Sequence, residues 1–171
     1  MHKAGYFYTI DAFVAISIII AGAILMYSSN VEESYEAPAA FVSKDLTNFL
    51  SGAQLYEINN KYIDILRADG NITNIRHTVF EQVGEYYYRY SQGSCDSCMK
   101  LAGLLLRNLT YRRVSEVFSY EIGIEGFRVL NDTKISQDDA RVLIASKKLV
   151  FGEVNSTVLW GPYEVDLRVW Q

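Results

Sequence analysis

Two cysteines three residues apart, Cys95-Asp-Ser-Cys98, are the only thiols in the chain, and three kinds of chemistry use such a pair. A zinc site needs four Cys or His ligands, and only His2 and His77 are present to complete one. A thiol oxidoreductase needs the pair at a helix start just after a strand. Here the Tyr86-Tyr87-Tyr88-Arg89-Tyr90 run and Gly93 come first, which is not the pattern of a parallel-sheet strand. A local disulfide clamping a turn in an oxidising exterior asks least of its surroundings and is the favoured reading. Other chemistry is thin. There is no Gly-rich phosphate loop and no serine nucleophile elbow, and any His-dependent triad would rest on His77 alone, which reads as a packing or surface residue. Asp138-Asp139 reads as a turn or helix start rather than a cation site. The expectation is a non-enzyme without cofactor or metal. A net charge of −4 with no window rich in Lys and Arg also argues against a nucleic-acid partner.

A second set of residues points to modification rather than catalysis. Four Asn-x-Thr triplets begin at Asn71, Asn108, Asn131 and Asn155, and each is an N-glycosylation acceptor if the chain is exported. N-linked glycans are therefore the one covalent addition expected.

The segment that would place those asparagines outside a cell lies at the front. Residues 12–27 carry Ser17 as their only polar side chain. With residues 4–11 they make a stretch of about 24 residues, enough for a helix to cross a ~30 Å hydrocarbon layer. His2 and Lys3 precede the stretch and Glu32, Glu33 and Glu36 follow it, so the charge rule puts the N-terminus in the cytoplasm and all beyond Ser28 outside. The competing reading is a cleaved secretory signal, for which Met26-Tyr27-Ser28-Ser29 is a poor cleavage site. Asp11 stands out, because a carboxylate in such a helix costs ~2.5–3.5 kcal/mol at the membrane centre. It either stays hydrated near the interface or meets a positive charge on a neighbouring chain and sets register. Ala15, Gly22 and Ala23 would permit close helix approach.

At this point the residues resemble a family. Lys3-Ala4-Gly5, followed by Tyr6-Phe7-Tyr8-Thr9-Ile10-Asp11 and a long Ile/Ala run, resembles the class III signal peptide of archaeal type IV pilins. The resemblance implies leader processing around Lys3, Gly5 and Tyr6, with a cut after Gly5 making Asp11 the sixth mature residue and a cut after Tyr6 making it the fifth. It implies Phe7 as an aromatic opening residue and Asp11 as the partner of a neighbouring subunit's N-terminal amine. It further implies a homo-oligomer joined through N-terminal helices, a membrane stage before assembly, other pilins and a prepilin peptidase as partners, and a cell-surface filament as the location. A pilin-like accessory protein, such as a minor pilin or a secretion or DNA-uptake component, shares these features. A tethered thiol oxidoreductase using Cys95 and Cys98 is the third reading.

The elements expected to carry these residues follow from periodicity. Residues 1–28 form the basic leader and hydrophobic helix, 29–118 an extracellular helical region, and 119–171 an antiparallel β region of the same head. Helix continues from residue 31 to about 60, with Pro38 kinking or restarting it, and Phe41, Val42, Leu46, Phe49, Leu50 and Ala53 make an apolar face. Whether this is one rod with the apolar segment or two helices stays open. Residues 68–71 signal a turn, and residues 75–90 and 97–118 predict two further helices, the second capped by Ser94 or Ser97 and presenting Arg107, Arg112 and Arg113 to solvent. Past Ser119 the period changes to two. Glu125-Gly126 predicts a tight hairpin turn, 131–139 a polar loop, 141–151 one bulged strand or two short ones, and 163–169 a half-buried final strand. The expected fold is thus α+β: a long N-terminal hydrophobic helix serving as transmembrane or filament spine, further helices, then an antiparallel sheet of four or five strands, as in a pilin.

Overall fold

A computed structural model of the 171-residue chain describes residues 12–23, 36–154 and 158–171. The chain divides into two units, Met1–Tyr35 and Glu36–Gln171.

In the first unit residues 12–23 form helix α1. The expectation of a long N-terminal hydrophobic helix is overturned here: among the described residues no helix is long and apolar enough to cross a membrane. The twelve described residues of α1 cover about 18 Å, against the ~30 Å of a hydrocarbon layer. The next described helix is α2 (Glu36–Gly52), which carries Pro38 as its third described residue.

The second unit has two layers. After α2 come a short 3₁₀ turn (Leu55–Glu57), α3 (Lys61–Ala68), α4 (Val79–Ser91) and α5 (Cys98–Thr110). Four strands follow, β1 (Ser119–Ile124), β2 (Phe127–Asp132), β3 (Leu143–Val154) and β4 (Val158–Trp170), with a second 3₁₀ turn (Gln137–Asp139) before β3. They form one antiparallel sheet in the order β2-β1-β4-β3. Helices α2 and α4 lie against β3 and β4, and α5 lies against β2 and α4.

Local chemistry explains the boundaries. Helix α4 opens on a capping box: Glu81 N donates to Thr78 Oγ1 (3.3 Å) and Thr78 N donates to Glu81 Oε2 (2.7 Å). Two otherwise orphaned donors are thereby satisfied. Helix α5 stops at Thr110, eight residues before the expected end at 118. The β1–β2 hairpin turns through Glu125 (φ 49°) and Gly126 (φ 76°), the pair of positive φ values that a two-residue turn needs to match strand twist. Of residues 141–151, those from Leu143 on belong to a single strand, β3, whose register shifts between Val150 and Gly152.

Alternation then sorts the side chains. Tyr120, Ile122, Ile124, Leu130, Val165, Leu167 and Val169 point inward and are buried against Leu46, Leu50, Val79, Val83, Leu105 and Leu106 of the helices. Each such burial contributes about 1.5–3 kcal/mol. Trp160 of β4 is seated where α4 and β3 carry no side chain: a Cβ on Gly84 would lie 2.5 Å from its ring, and one on Gly152 2.6 Å. The outer face carries Glu121, Asp166, Arg168 and Lys147. At its far end Trp170 is also buried, because the 133–138 segment folds over it. Its indole N–H donates to Ile135 O (2.8 Å), and Ser119 Oγ accepts from the backbone N–H groups of Lys134 (2.8 Å) and Ile135 (3.1 Å).

Candidate functional site

The cysteine pair closes as a disulfide, with Cα atoms 5.4 Å apart, at the very start of α5. Cys98 is fully buried and Cys95 half-buried. The chain enters from helix α4, whose C-cap is Gln92, and through Gly93 at φ 67°, so no strand precedes the motif. Ser97 occupies the N-cap of α5 but its side chain makes no capping bond there. The bridge therefore ties down a short link between two packed helices.

The principal polar feature is one the sequence reading passed over. Glu85, on α4, has no exposed surface at all. Its carboxylate accepts the Thr73 hydroxyl at 2.9 Å from each oxygen and the Gln82 amide at 3.4 Å. His77 Nδ1 stands 3.4 Å away and Arg89 Nη1 3.9 Å. A carboxylate in an apolar interior is tolerated only when hydrogen-bonded and faced by opposite charge, and this group has both. His77 is thus a buried neighbour of Glu85, with the Trp160 ring edge-on at 6.4 Å between centroids. Next in sequence, burial and then the Glu85 charge push the Tyr86 hydroxyl well above its ordinary value of 10.0. The cluster joins the 72–78 segment to α4. It could have been noticed in the sequence only as an acidic residue three after Gln82 on an otherwise apolar helix face.

The outer sheet face carries a charge lattice. Glu121 pairs with Arg128 (2.6 Å) and Arg168 (3.5 Å), Arg168 with Asp166 (3.2 Å), and Lys147 with Glu164 (2.6 Å). Arg168 and Asp166 are two apart on β4, and the other three pairs join adjacent strands, which makes most of the lattice a property of strand register. Of the three arginines expected to be solvated, Arg113 lies over the Phe49 ring, 3.7 Å from its centroid. Arg107 and Arg112 line a groove of about 530 Å³ with Lys61, Tyr62 and Tyr111. At the β3–β4 end, Leu149, Phe151 and Leu159 are all more than two-thirds exposed (67, 70 and 81%).

The three described glycosylation triplets sit in unlike settings. Asn71 is half-buried in the link after α3, its N–H donating to Leu66 O (2.8 Å), and its triplet partner Thr73 is the residue bonded to Glu85. Asn108 is exposed on α5, but its Nδ2 donates to Leu104 O (2.8 Å). Its partner Thr110 is fully buried, donating to Leu106 O (2.8 Å) and lying 2.7 Å from the Tyr120 hydroxyl. A threonine hydroxyl has one proton, so Tyr120 must be the donor in that second bond. Asn131 and Thr133 are both exposed at the end of β2, where the Thr133 hydroxyl donates to Asn131 Oδ1.

Of the residues expected to direct assembly, Ala15 is exposed on α1, and a Cβ added at Gly22 would meet nothing within 4 Å. Phe7, Asp11, the leader residues Lys3, Gly5 and Tyr6, and Asn155 lie outside the described residues. Among the described residues no group of three or more His, Cys, Asp or Glu side chains is placed to hold a metal ion. No protein-family model, curated protein or solved structure matches this chain.

Proposed function

We propose that the chain is a structural subunit of a type IV pilus-like filament at the cell surface, self-associating through α1 and carrying N-linked glycans on its α+β unit. One observation supports this reading above others. Helix α1 presents Phe13, Ile18 and Ile19 to solvent (74, 67 and 69% exposed), while the hydroxyl of its one polar residue, Ser17, turns back onto Phe13 O at 2.8 Å. A helix that hydrophobic all round is stable only when something covers it, and copies of itself are a sufficient cover. A clamped α+β body with an exposed charge lattice suits a unit that faces water.

The test replaces Ile18 and Ile19 with Asp in the full chain. Each change removes a side chain whose burial is worth roughly 1.5–3 kcal/mol per subunit. Sheared surface material examined by electron microscopy should lose its filaments, while circular dichroism of the purified chain keeps the fold of residues 36–171. Filaments of normal length and yield from the double variant would overturn the reading.

A further inference from the structure

We infer that the fold sorts the glycosylation triplets by time: Asn131 is an acceptor on the folded protein, whereas Asn71 and Asn108 are acceptors only on the unfolded chain. The inference rests on the exported-glycoprotein part of the reading above and adds an order to it. Transfer forms a bond between the asparagine Nδ2 and the anomeric carbon of a saccharide. It breaks the bond from that carbon to an isoprenoid diphosphate, which leaves, and the amide gives up a proton. The amide nitrogen must therefore be free, and the transferase must reach the threonine hydroxyl two residues on.

Neither condition holds at Asn108 in the fold. Its nitrogen is bonded to Leu104 O, its backbone is in the last turn of α5, and the Thr110 hydroxyl lies in the core between Leu106 O and Tyr120. Exposing that hydroxyl means unwinding the end of α5 and withdrawing Thr110 from contact with β1. At Asn71 the asparagine is half-buried, and Thr73, though exposed as a residue, turns its hydroxyl inward as the direct donor to a fully buried carboxylate, so freeing it leaves Glu85 short of a partner. At Asn131 both groups are on the surface, the triplet begins in the extended backbone of the sheet's edge strand, and the hydroxyl is bonded to the acceptor amide itself. Surface exposure of the asparagine alone would have ranked Asn108 with Asn131. The threonines reverse that.

The experiment gives a purified single-subunit oligosaccharyltransferase and an isoprenoid-diphosphate-linked oligosaccharide two substrates, then quantifies each site by peptide mass spectrometry. One is the full chain, oxidised and folded. The other is the Leu106→Asp variant with both cysteines alkylated, shown to be unfolded by circular dichroism. Leu106 is fully buried and lies outside every triplet. The folded chain should be modified at Asn131 at least about tenfold more than at Asn71 or Asn108, since those two need a locally opened state. The unfolded chain should be modified at all three. Equal occupancy of Asn108 and Asn131 on the folded chain would overturn the inference, as would an unmodified Asn131 there, or an unfolded chain modified at Asn131 alone. Bare asparagines on material from the native source would remove the glycoprotein reading and leave the order measured in vitro standing.

Discussion

Replacing Glu85 with Gln tests whether the buried cluster stabilises the fold. The carboxylate accepts one hydroxyl proton from Thr73 and one amide proton from Gln82, with His77 and Arg89 beside it. A hydrogen bond to a charged acceptor contributes about 1.5–3 kcal/mol. The Arg89 head is 3.9 Å away and a quarter exposed, so solvent screening holds that pair to at most about 0.5 kcal/mol. Glutamine keeps the shape and one acceptor, but it brings two donors next to Gln82 and Arg89, which are themselves donors. The expected loss is about 2 kcal/mol, which for a unit of this size lowers Tm by roughly 6–8 °C. Thermal and urea unfolding of the oxidised chain would measure it. Thr73→Val supplies the control: because the two side chains share one bond, the double variant should be less destabilised than the sum of the singles by about 1–2 kcal/mol. Additive losses, or a Gln variant within about 0.5 kcal/mol of the parent, would refute the assignment of Glu85 as the centre of the cluster.

Two further changes probe its surroundings. Gly84→Ala should destabilise by about 2 kcal/mol in urea unfolding: the added carbon meets an indole already confined by Gly152, an overpacking cost of up to ~3 kcal/mol that exceeds the ~1 kcal/mol gain in helix propensity. For Tyr86, the folded hydroxyl ionises well above 10.0, so above that pH the unfolded chain loses its proton first. The folded state then holds the extra proton, and stability present below pH 10 falls as pH rises toward the folded value, by up to ~1.4 kcal/mol per pH unit. Tyr86→Phe should flatten that alkaline slope in urea midpoints measured between pH 9 and 11, and an unchanged slope would count against burial as the cause.

What was legible in the sequence was whatever local chemistry decides. Glu125-Gly126 between two alternating runs has few conformations open to it besides a hairpin turn, and the alternation from Tyr163 to Val169 leaves one face for the core. The Thr78-x-x-Glu81 box was equally available and, read closely, would have moved the start of α4 from residue 75 to 79. Lys61–Ala68 went unassigned although Asn60, whose side chain accepts from Tyr62 N, marks its beginning. The long N-terminal helix failed for a different reason. Hydropathy reports how apolar a stretch is and not how far a helix runs through it, and among the described residues no helix is long and apolar enough to cross a membrane. Glu85 was out of reach altogether, since its burial depends on Thr73 and His77 arriving from another segment. A carboxylate in the Tyr86–Tyr90 neighbourhood reads as solvated until those partners are known. The Thr110 hydroxyl is the same case: its partner Tyr120 belongs to another element.

The strand order has a consequence for how the protein is made. Strand β4 lies in the middle of the sheet, paired with β1 on one side and β3 on the other, yet it is the last of the four to leave the ribosome. At ~5–20 residues per second, the 46 positions from Ile124 to Trp170 take about 2–9 s to synthesise. For most of that interval β1 has only β2 beside it, and the inward side chains of the β1–β2 hairpin lack the strand that completes their floor. Translation thus holds the sheet open for seconds after the helices and β1 have been made.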